Sequence, residues 1–196
     1  MRSGFYSLGR TWSAKWFLGQ LLQKDIEAVD NALYNGMRGF KGIVHIKIIT
    51  GTKPGDFLCV GFPIHIVSSK VLDIWKEFEK FEIYPVVIQN TISPVEYTGV
   101  TFLGRGGPFD PEKSKAVYFK SKDSNGKGAI MNMDGLYFDD SQWDGSDLLT
   151  VDDFPCLPIV TERVVKAMKK AKVTNCKYTP LEQYCYYKKK FSKSII

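Results

Sequence analysis

The sequence has only two histidines and four cysteines, and this scarcity limits the chemistry it can support. His45 and His65 both lie inside apolar, strand-like runs, where we predict structural roles rather than the base that a serine or cysteine nucleophile requires. The cysteines are separated by 97, 20 and 9 residues, so they form no CxxC pair and no zinc-ribbon spacing. Such cysteines are typical of buried thiols. We therefore predict that the protein is not an enzyme and has no cofactor.

The common motifs of phosphate and metal sites are also missing. The glycine cluster from Gly104 to Gly107 lacks the GK[ST] ending of a P-loop and the GxGxxG spacing of a dinucleotide site, so it predicts a turn. An acid-rich segment at 139–153 superficially resembles a calcium loop. Counted from Asp140, however, its third position is Gln142 and its twelfth is Val151, where that loop has Asp or Asn and then Glu. We predict no metal site.

Long apolar runs are absent as well. No segment approaches the roughly 18 apolar residues of a membrane span, and the N-terminal residues are interrupted by Arg2, Arg10 and Lys15. This pattern predicts a cytoplasmic protein that has no membrane partner. With 196 residues, of which 44% are hydrophobic, the chain is long enough to bury a substantial core.

Positive charge is concentrated at the C-terminal end. The net charge is +6, but residues 166–196 contain nine lysines and only one acidic residue, Glu182. This asymmetry predicts an acidic protein surface, nucleic acid or anionic lipid as the partner of that end, or simply a solvated helix face followed by a basic tail. The tail interleaves tyrosines with Lys188, Lys189 and Lys190, a composition typical of surfaces that contact a nucleic-acid backbone and stack on bases.

One pattern occurs twice, 93 residues apart. Each copy contains a short apolar strand, a hydroxyl residue able to cap a helix (Ser68 or Ser69 in the first, Thr161 in the second) and an amphipathic helix. The repeat predicts two related strand–helix–strand units. The apolar helix positions Val71, Leu72, Ile74, Trp75 and Phe78 of the first copy match Val164, Val165, Ala167, Met168 and Ala171 of the second.

The N-terminal region precedes the repeat and has a different pattern. Residues 3–10 show little periodicity and are predicted to be irregular. A helix is predicted to begin at Thr11 or Ser13 and to continue through Leu33, although Gly19 lies within it.

Strand patterns fill most of the remaining chain. Apolar, β-branched segments predict strands at 42–49, 57–60, 64–67, 83–88 and 178–181, and the segment 91–102 has mixed strand character. Short strands are predicted at 118–119, 130 and 136–138, around a turn at 124–126. Pro85 indicates an edge strand or the beginning of a strand. We therefore predict an α+β fold that has a mixed or antiparallel sheet and about three helices.

The chain is predicted to form a single domain over residues 1–196, possibly built from two halves. The first half, 1–90, contains the first strand–helix–strand unit. The second half, 91–196, contains a strand-rich middle, the second unit and the basic tail.

Short motifs in the second half resemble a known family. They lie at 109–114 (FDPEKS), 136–138 (LYF), 143–148 (WDGSDL), 157–167 (LPIVTERVVKA) and 178–181 (YTPL). Together they resemble the C-terminal part of the immunity proteins of bacterial polymorphic toxin systems, in which a strand, a (V/I)-(S/T)-E-(K/R)-(V/L) helix start and a terminal aromatic-x-Pro strand recur. The resemblance covers residues 109–181, and the first copy of the repeat resembles the same motifs more weakly.

The resemblance implies a small cytoplasmic protein that binds one cognate toxin and blocks its active site or the route of its substrate, without catalysis of its own. Charge complementarity would set the association rate and exclude wrong toxins. We predict that one of two charged surfaces is the interface. The basic surface comprises Lys166, Lys169, Lys170, Lys188, Lys189 and Lys190, and the acidic surface comprises Asp139, Asp140, Trp143, Asp144 and Asp147.

The basic C-terminal end departs from one expectation for such inhibitors. Those that mimic nucleic acid against nucleases are normally acidic, so a nuclease is a less expected target unless the acidic surface makes the contact. The alternative hypothesis is a nucleic-acid-associated binding protein that uses the basic, tyrosine-rich C-terminal end. The sequence has no RRM or zinc-finger motif to support that alternative.

Overall fold

The computed structural model describes residues 4–11, 13–61, 63–118 and 130–185. These residues form an α+β fold, as predicted, with the helices α1 (Gln23–Leu33), α2 (Ser69–Trp75) and α3 (Glu162–Lys170). Not one of these described helices has the length and apolar character needed to cross a membrane. The strands are β1 (Phe5–Arg10), β2 (Leu18–Leu21), β3 (Val44–Thr50), β4 (Cys59–Val60), β5 (His65–Ser68), β6 (Phe81–Ile88), β7 (Tyr97–Phe102), β8 (Gly104–Arg105), β9 (Val117–Tyr118), β10 (Ile130–Asn132), β11 (Leu148–Val151), β12 (Phe154–Thr161) and β13 (Cys176–Pro180).

The strands form two large mixed sheets and a small hairpin. The six-stranded sheet has the order β4-β2-β3-β6-β7-β5, and the five-stranded sheet has the order β13-β1-β12-β11-β8. Most neighbours are antiparallel, but β2 and β4, β3 and β6, and β8 and β11 are parallel pairs. The hairpin is formed by β9 and β10.

The predicted repeat is present as two split strand–helix–strand units. In the first unit β5 leads through α2 to β6, and β7 lies between these strands and runs antiparallel to both. In the second unit β12 leads through α3 to β13, and β1 occupies the place of β7. The registers agree, because Ser68 pairs with Tyr97 in the first unit and Thr161 pairs with Phe5 at the matching point of the second. The predicted strand at 178–181 is therefore β13, the equivalent of β6.

The helices of the two units begin at the predicted hydroxyl residues Ser68 and Thr161, which are their N-cap residues. The Ser68 hydroxyl accepts a cap hydrogen bond from the backbone N–H of Val71 at 3.4 Å, whereas the Thr161 hydroxyl accepts no such bond and donates to Asp147. In each unit the next backbone N–H donates to a carbonyl that precedes the central strand, at 3.1 Å to Glu96 in the first and at 2.8 Å to Gly4 in the second. A helix start leaves such N–H groups without an intrahelical partner. These bonds therefore tie each helix start to its central strand.

The apolar faces of α2 and α3 meet in one core. Val71 and Trp75 of α2, and Val164 and Met168 of α3, have no exposed surface. They belong to one cluster with residues from both sheets, including Leu148. Two further clusters pack α1 against the six-stranded sheet and the middle of the chain against the five-stranded sheet. The two units of the repeat therefore depend on a shared core.

The N-terminal region differs from its prediction. The segment predicted to be irregular forms β1, and part of the predicted helix forms β2, so that α1 begins only at Gln23. Gly19 allows the strand, because a Cβ atom at this position would lie 2.4 Å from Cγ2 of Ile46 on β3. The partners of β1 come from the opposite end of the chain. Pairing between segments so far apart along the chain cannot be predicted from local periodicity.

Pro85 does not mark an edge strand, because β6 lies between β3 and β7. It pairs with Thr98 at the end of the antiparallel ladder to β7. The parallel ladder to β3 begins at the next residue, Val86. Proline has no backbone N–H. Because Pro85 lies where one ladder ends and the other begins, its missing N–H removes few hydrogen bonds between strands.

The middle of the chain forms less regular strand than predicted. The hairpin of β9 and β10 is present, but the predicted turn at 124–126 lies outside the described residues. Residues 136–138 were predicted to form a strand and contribute only an isolated bridge, from Phe138 to Phe109. The proposed division into two halves stays a prediction; strand β1 of the first half lies within the sheet of the second unit.

Candidate functional site

The end of α3, together with the segment that leads into β13, carries a row of exposed lysines. Lys166 forms an ion pair with Glu162 at 3.1 Å, and the ammonium of Lys169 lies 5.7 Å from the centre of the Tyr178 ring. From Lys169 onward, these lysines form no ion pair with another residue in the part of the chain that the structure describes. We call this surface the basic face, and it consists of Lys166, Lys169, Lys170 and Lys172.

The first unit provides an internal comparison for the basic face. Asp73 and Lys76 form an ion pair at 2.7 Å. The residues that follow the two helices share a left-handed backbone, with φ of 52° at Glu79 and 53° at Lys172. The ends of α2 and α3 thus have the same backbone conformation but carry side chains of different charge on their exposed side. The fold itself therefore does not require lysine at these positions. The positions equivalent to Lys166, Lys169, Lys170 and Lys172 are Asp73, Lys76, Glu77 and Glu79.

The predicted acidic surface begins with a carboxylate that is bonded within its own segment. Asp139 caps a 3-10 helix at Asp140–Gln142, so that Asp140 is the first residue of that helix. The Asp139 carboxylate accepts hydrogen bonds from the backbone N–H of Ser141 at 3.1 Å and from the side-chain amide of Gln142 at 3.0 Å. Bonds from Ser141 and then from Gln142 lower the pKa of Asp139. The carboxylate is therefore ionised and fixed in orientation.

Asp144 is exposed and links this segment to the first unit. Its carboxylate accepts a hydrogen bond from the backbone N–H of Ser146 at 3.0 Å and lies 3.9 Å from the ammonium of Lys80, which follows α2. Partial burial acts to raise the pKa of Asp144, but the hydrogen bonds from Ser146 outweigh it and the pKa lies below its usual value. Asp144 is thus a surface carboxylate with local partners.

Asp147 lies inside the protein rather than on the predicted acidic surface. It is only 8% exposed, and its carboxylate accepts hydrogen bonds from Thr161 Oγ1 and, at 2.7 Å, from the Arg163 guanidinium. The backbone N–H of Thr161 also donates to the Asp147 carbonyl at 3.1 Å. Asp147 therefore fixes the start of α3.

Asp56 has the equivalent role in the first unit, although it was not among the predicted site residues. Its carboxylate accepts a hydrogen bond from Ser68 Oγ at 2.9 Å and lies 3.5 Å from the ammonium of Lys70. The sequence does contain a signal for this arrangement. In each unit an aspartate precedes the helix cap, by 12 residues in the first and 14 in the second, and a basic residue follows two positions after the cap.

Trp143 borders a cleft at the start of α3. Its ring packs edge-on against Phe5, with centroids 5.1 Å apart, and its Nε1–H donates to the Ser146 carbonyl at 2.9 Å. The cleft has a volume of about 260 Å³ and is also lined by Asp147 and Arg163. The WDGSD and TER motifs of the resemblance therefore meet here. This volume lies just below the roughly 300 Å³ at which the usual range of ligand pockets begins.

The two histidines have internal partners. In His45, Nδ1 lies 3.0 Å from the Asp25 carboxylate and Nε2 lies 3.3 Å from the ammonium of Lys24. In His65, Nε2 lies 3.1 Å from the Cys156 carbonyl. Burial, followed by the nearby positive charge of Arg10, lowers the pKa of His65 to about 3, so its ring is neutral and Nε2–H donates.

Three cysteines are held as thiols. Burial raises the pKa of Cys59, Cys156 and Cys176. A thiol with a raised pKa is a poor nucleophile and a poor metal ligand at neutral pH, because both roles require the thiolate.

A buried polar group lies between the two sheets. The Arg10 guanidinium donates to the Ile64 carbonyl at 3.1 Å. Near it, Tyr84 is 2% exposed, and its hydroxyl has no hydrogen-bond partner among the described residues. Burial, only partly offset by Arg10, raises the pKa of Tyr84. The Tyr84 hydroxyl is therefore protonated and lowers the stability of the fold.

We expect Tyr84→Phe to stabilise the protein by about 1 kcal/mol, because an unsatisfied buried hydroxyl costs about 1–3 kcal/mol. The ring itself is kept, since it packs edge-on against Phe40 with centroids 5.4 Å apart. Urea denaturation of both proteins measures the difference. A loss of stability of more than about 1 kcal/mol would mean that the hydroxyl is satisfied by a buried water or a ligand.

The basic face is the candidate functional site. Of the lysines predicted to form the basic surface, Lys188, Lys189 and Lys190 lie outside the described residues. Within the described ranges, no group of three or more His, Cys, Asp or Glu side chains is placed to hold a metal ion. No protein-family model matches the chain, and no curated protein matches it.

Proposed function

We propose that the chain is a non-catalytic immunity protein that binds one cognate bacterial toxin in the cytoplasm and blocks its active site or the route of its substrate. The observation that carries this proposal is the basic face, because the repeated fold does not need its lysines. The resemblance of residues 109–181 to immunity proteins supports the choice of a toxin as the partner.

The charges of the basic face repel one another in the free protein. Lys169 and Lys170 lie three and four positions after Lys166 on α3, which makes each of them a neighbour of Lys166 on the helix surface. Like charges on neighbouring helix positions destabilise a helix by about 0.2–0.5 kcal/mol per pair. The equivalent end of α2 carries both signs of charge. An acidic partner surface would relieve the repulsion, and this favours an acidic patch on the toxin.

The helix that carries the basic face is anchored in the core before any partner binds. Val164, Val165 and Met168 anchor α3 in the shared core, where each is at most 3% exposed. Asp147 and Arg163 fix its first turn through their ion pair at 2.7 Å. A preorganised surface loses less conformational freedom on association. Complementary charge then accelerates association, and it makes the rate fall as salt concentration rises.

The acidic surface is the second predicted contact. Asp139 and Asp144 present carboxylates that local hydrogen bonds and an approaching lysine hold in place, and Asp140 directly follows Asp139. Trp143 adds an aromatic edge beside the cleft at the start of α3. This surface would suit a toxin that has a basic substrate channel, such as a nuclease.

We expect the double variant Lys169→Glu and Lys170→Glu to lose toxin binding by at least about tenfold, since each reversal replaces an attraction by a repulsion. Glu77 occupies the position equivalent to Lys170, so glutamate is compatible with the fold there. The matched control is Lys41→Glu with Lys53→Glu, which changes the net charge equally at two exposed positions outside α3.

The measurement is a pull-down from lysate of the source cells at about 0.15 M salt, where exposed charges are already partly screened. Nuclease is added to one half of the sample. We expect one protein to be recovered in stoichiometric amount with the wild type and with the control, and to remain bound after nuclease treatment. This protein should be toxic unless the wild-type chain is added. Recovery of nucleic acid and its associated proteins, lost on nuclease treatment, would instead favour the nucleic-acid-binding alternative.

A further inference from the structure

The outward surface of α2 and α3 has two distinct ends. The helices run antiparallel, because the start of each contacts the end of the other. The Arg163 guanidinium lies 5.6 Å from the centre of the Phe78 ring, and the Lys70 ammonium donates to the Lys172 carbonyl at 3.0 Å. The approximate twofold axis of the repeat passes between the helices. The residues that follow α2 and those that follow α3 therefore lie at opposite ends of this surface.

The two ends carry charges of opposite sign. At the end of α2, the two nearest lysines are each close to an aspartate. Glu77 and Glu79 are exposed there and form no ion pair with another described residue. At the end of α3, the equivalent positions are Lys170 and Lys172, which are exposed and likewise have no ion-pair partner within the described ranges. We call these regions the acidic end and the basic end.

We infer that this surface binds a second copy of the chain and that the protein forms a twofold dimer through it. A twofold axis in the plane of the surface, perpendicular to the line between its ends, places the acidic end of each protomer on the basic end of the other. The same contact then forms twice, as in any isologous interface. Glu77 and Glu79 face Lys170 of the partner subunit and Lys172 of the partner subunit.

An exposed isoleucine beside the acidic end adds an apolar contact. Ile83 is 58% exposed and pairs across the sheet with Val100, which belongs to the core beneath α2. Residues paired directly across two strands share a face, so Ile83 lies on the helix side of the sheet. Its equivalent at the basic end is Tyr178, which lies near the Lys169 ammonium. In the dimer, Ile83 packs against the partner's Tyr178 and leaves water.

The dimer goes beyond the proposed function and does not depend on it, because it uses only the charges and contacts of this chain. It does use the basic face. A toxin bound to that face would compete with the second copy, so adding the toxin is expected to convert dimer into a one-to-one complex.

The test uses sedimentation equilibrium on the full chain at about 0.1 mM, where a dimer with a micromolar dissociation constant is nearly complete. One variant carries Lys170→Glu and Lys172→Glu, and the other carries Glu77→Lys and Glu79→Lys. Each variant takes residues that the equivalent positions of the other unit already hold, so both are expected to keep the native circular dichroism spectrum. Lys41→Glu with Lys53→Glu is the charge-matched control.

At about 0.05 M salt, where screening is weak, the wild type and the control are expected to have twice the 22.2 kDa mass of the chain. The mass should fall toward the monomer value at about 0.5 M salt. Each variant alone is expected to be monomeric, because like charges then face each other. An equal mixture should regain the dimer, which misfolded variants would not do. A wild type that is monomeric at low salt, a variant that dimerises alone, or a mixture that stays monomeric would overturn the proposal.

Discussion

Replacing Trp75 by alanine is expected to lower the free energy of unfolding by about 4 kcal/mol, within the usual range for losing a large buried aromatic side chain. Trp75 has no exposed surface, and its ring makes edge contacts with Phe102 and Phe57 at centroid distances of 5.1 and 6.0 Å. It lies in the core that α2 and α3 share. The cavity left by alanine therefore weakens both units of the repeat at once.

Chemical denaturation measures this loss, and Trp75→Phe is the matched variant. Phenylalanine keeps an aromatic ring and removes the Nε1–H group, which is buried and has no hydrogen-bond partner among the described residues. Because an unsatisfied buried donor costs about 1–3 kcal/mol, its removal offsets part of the lost packing. We expect Trp75→Phe to stay within about 1.5 kcal/mol of the wild type. A loss of less than about 2 kcal/mol for alanine would contradict the central position of Trp75.

Replacing Asp56 by alanine is expected to lower the free energy of unfolding by about 3 kcal/mol, because hydrogen bonds to a charged group are worth about 1.5–3 kcal/mol. The carboxylate accepts bonds from the backbone N–H and the hydroxyl of Thr174, at 2.7 and 2.8 Å, and from Ser68 Oγ at 2.9 Å. It therefore joins the start of α2 to the segment that follows α3. Its loss separates two elements that pack on each other.

The contribution of Asp56 to the free energy of unfolding is expected to depend on pH. Burial acts to raise the pKa of Asp56, but the hydrogen bonds from Thr174 and Ser68, together with the charge of Lys70, outweigh it and hold the pKa below its usual value. A carboxylate with a lowered folded-state pKa stabilises the fold fully above its unfolded pKa of about 4, and this stabilisation is lost as pH falls through the folded-state value.

Denaturation of the wild type and of Asp56→Asn at about pH 7 and at about pH 2.5, on either side of the normal aspartate pKa, tests this expectation. The asparagine variant keeps the shape of the side chain without its charge. The difference in free energy of unfolding between the two proteins should be smaller at the lower pH. A difference of the same size at both pH values would show that Asp56 acts through packing alone.

Local patterns were sufficient to predict both units of the repeat. The helices of the repeat were predicted because apolar residues at helical spacing mark the buried side of a helix whatever it packs against. The helix starts at Ser68 and Thr161 were predicted because hydroxyl residues are preferred at the N-cap, although only the Ser68 hydroxyl accepts a hydrogen bond from its own helix. The basic lysines of α3 were assigned to the outward side by the same periodicity. Each of these features depends on residues a few positions apart.

Features that depend on distant residues were missed or misplaced. β1 was predicted to be irregular, because its pairing partners β12 and β13 lie at the other end of the chain. β2 was predicted to be helical, because Leu18 and Leu21 also fit a helical stripe and only the close approach of Ile46 shows why Gly19 is in a strand. Asp147 was predicted to lie on the acidic surface, because acidic residues are usually solvated. Its partners Thr161 and Arg163 lie 14 and 16 residues further along the chain, so local sequence did not indicate its burial.

The sequence by itself determined the α+β class, the two related units and the lysines that point outward from α3, since all of these follow from backbone periodicity and local capping. Only the tertiary structure decided that both helices share one core, that buried aspartates fix their starts, and that the acidic and basic ends lie on one surface. These results depend on which distant segments come together, and the burial of apolar surface that drives their association has no preferred sequence separation.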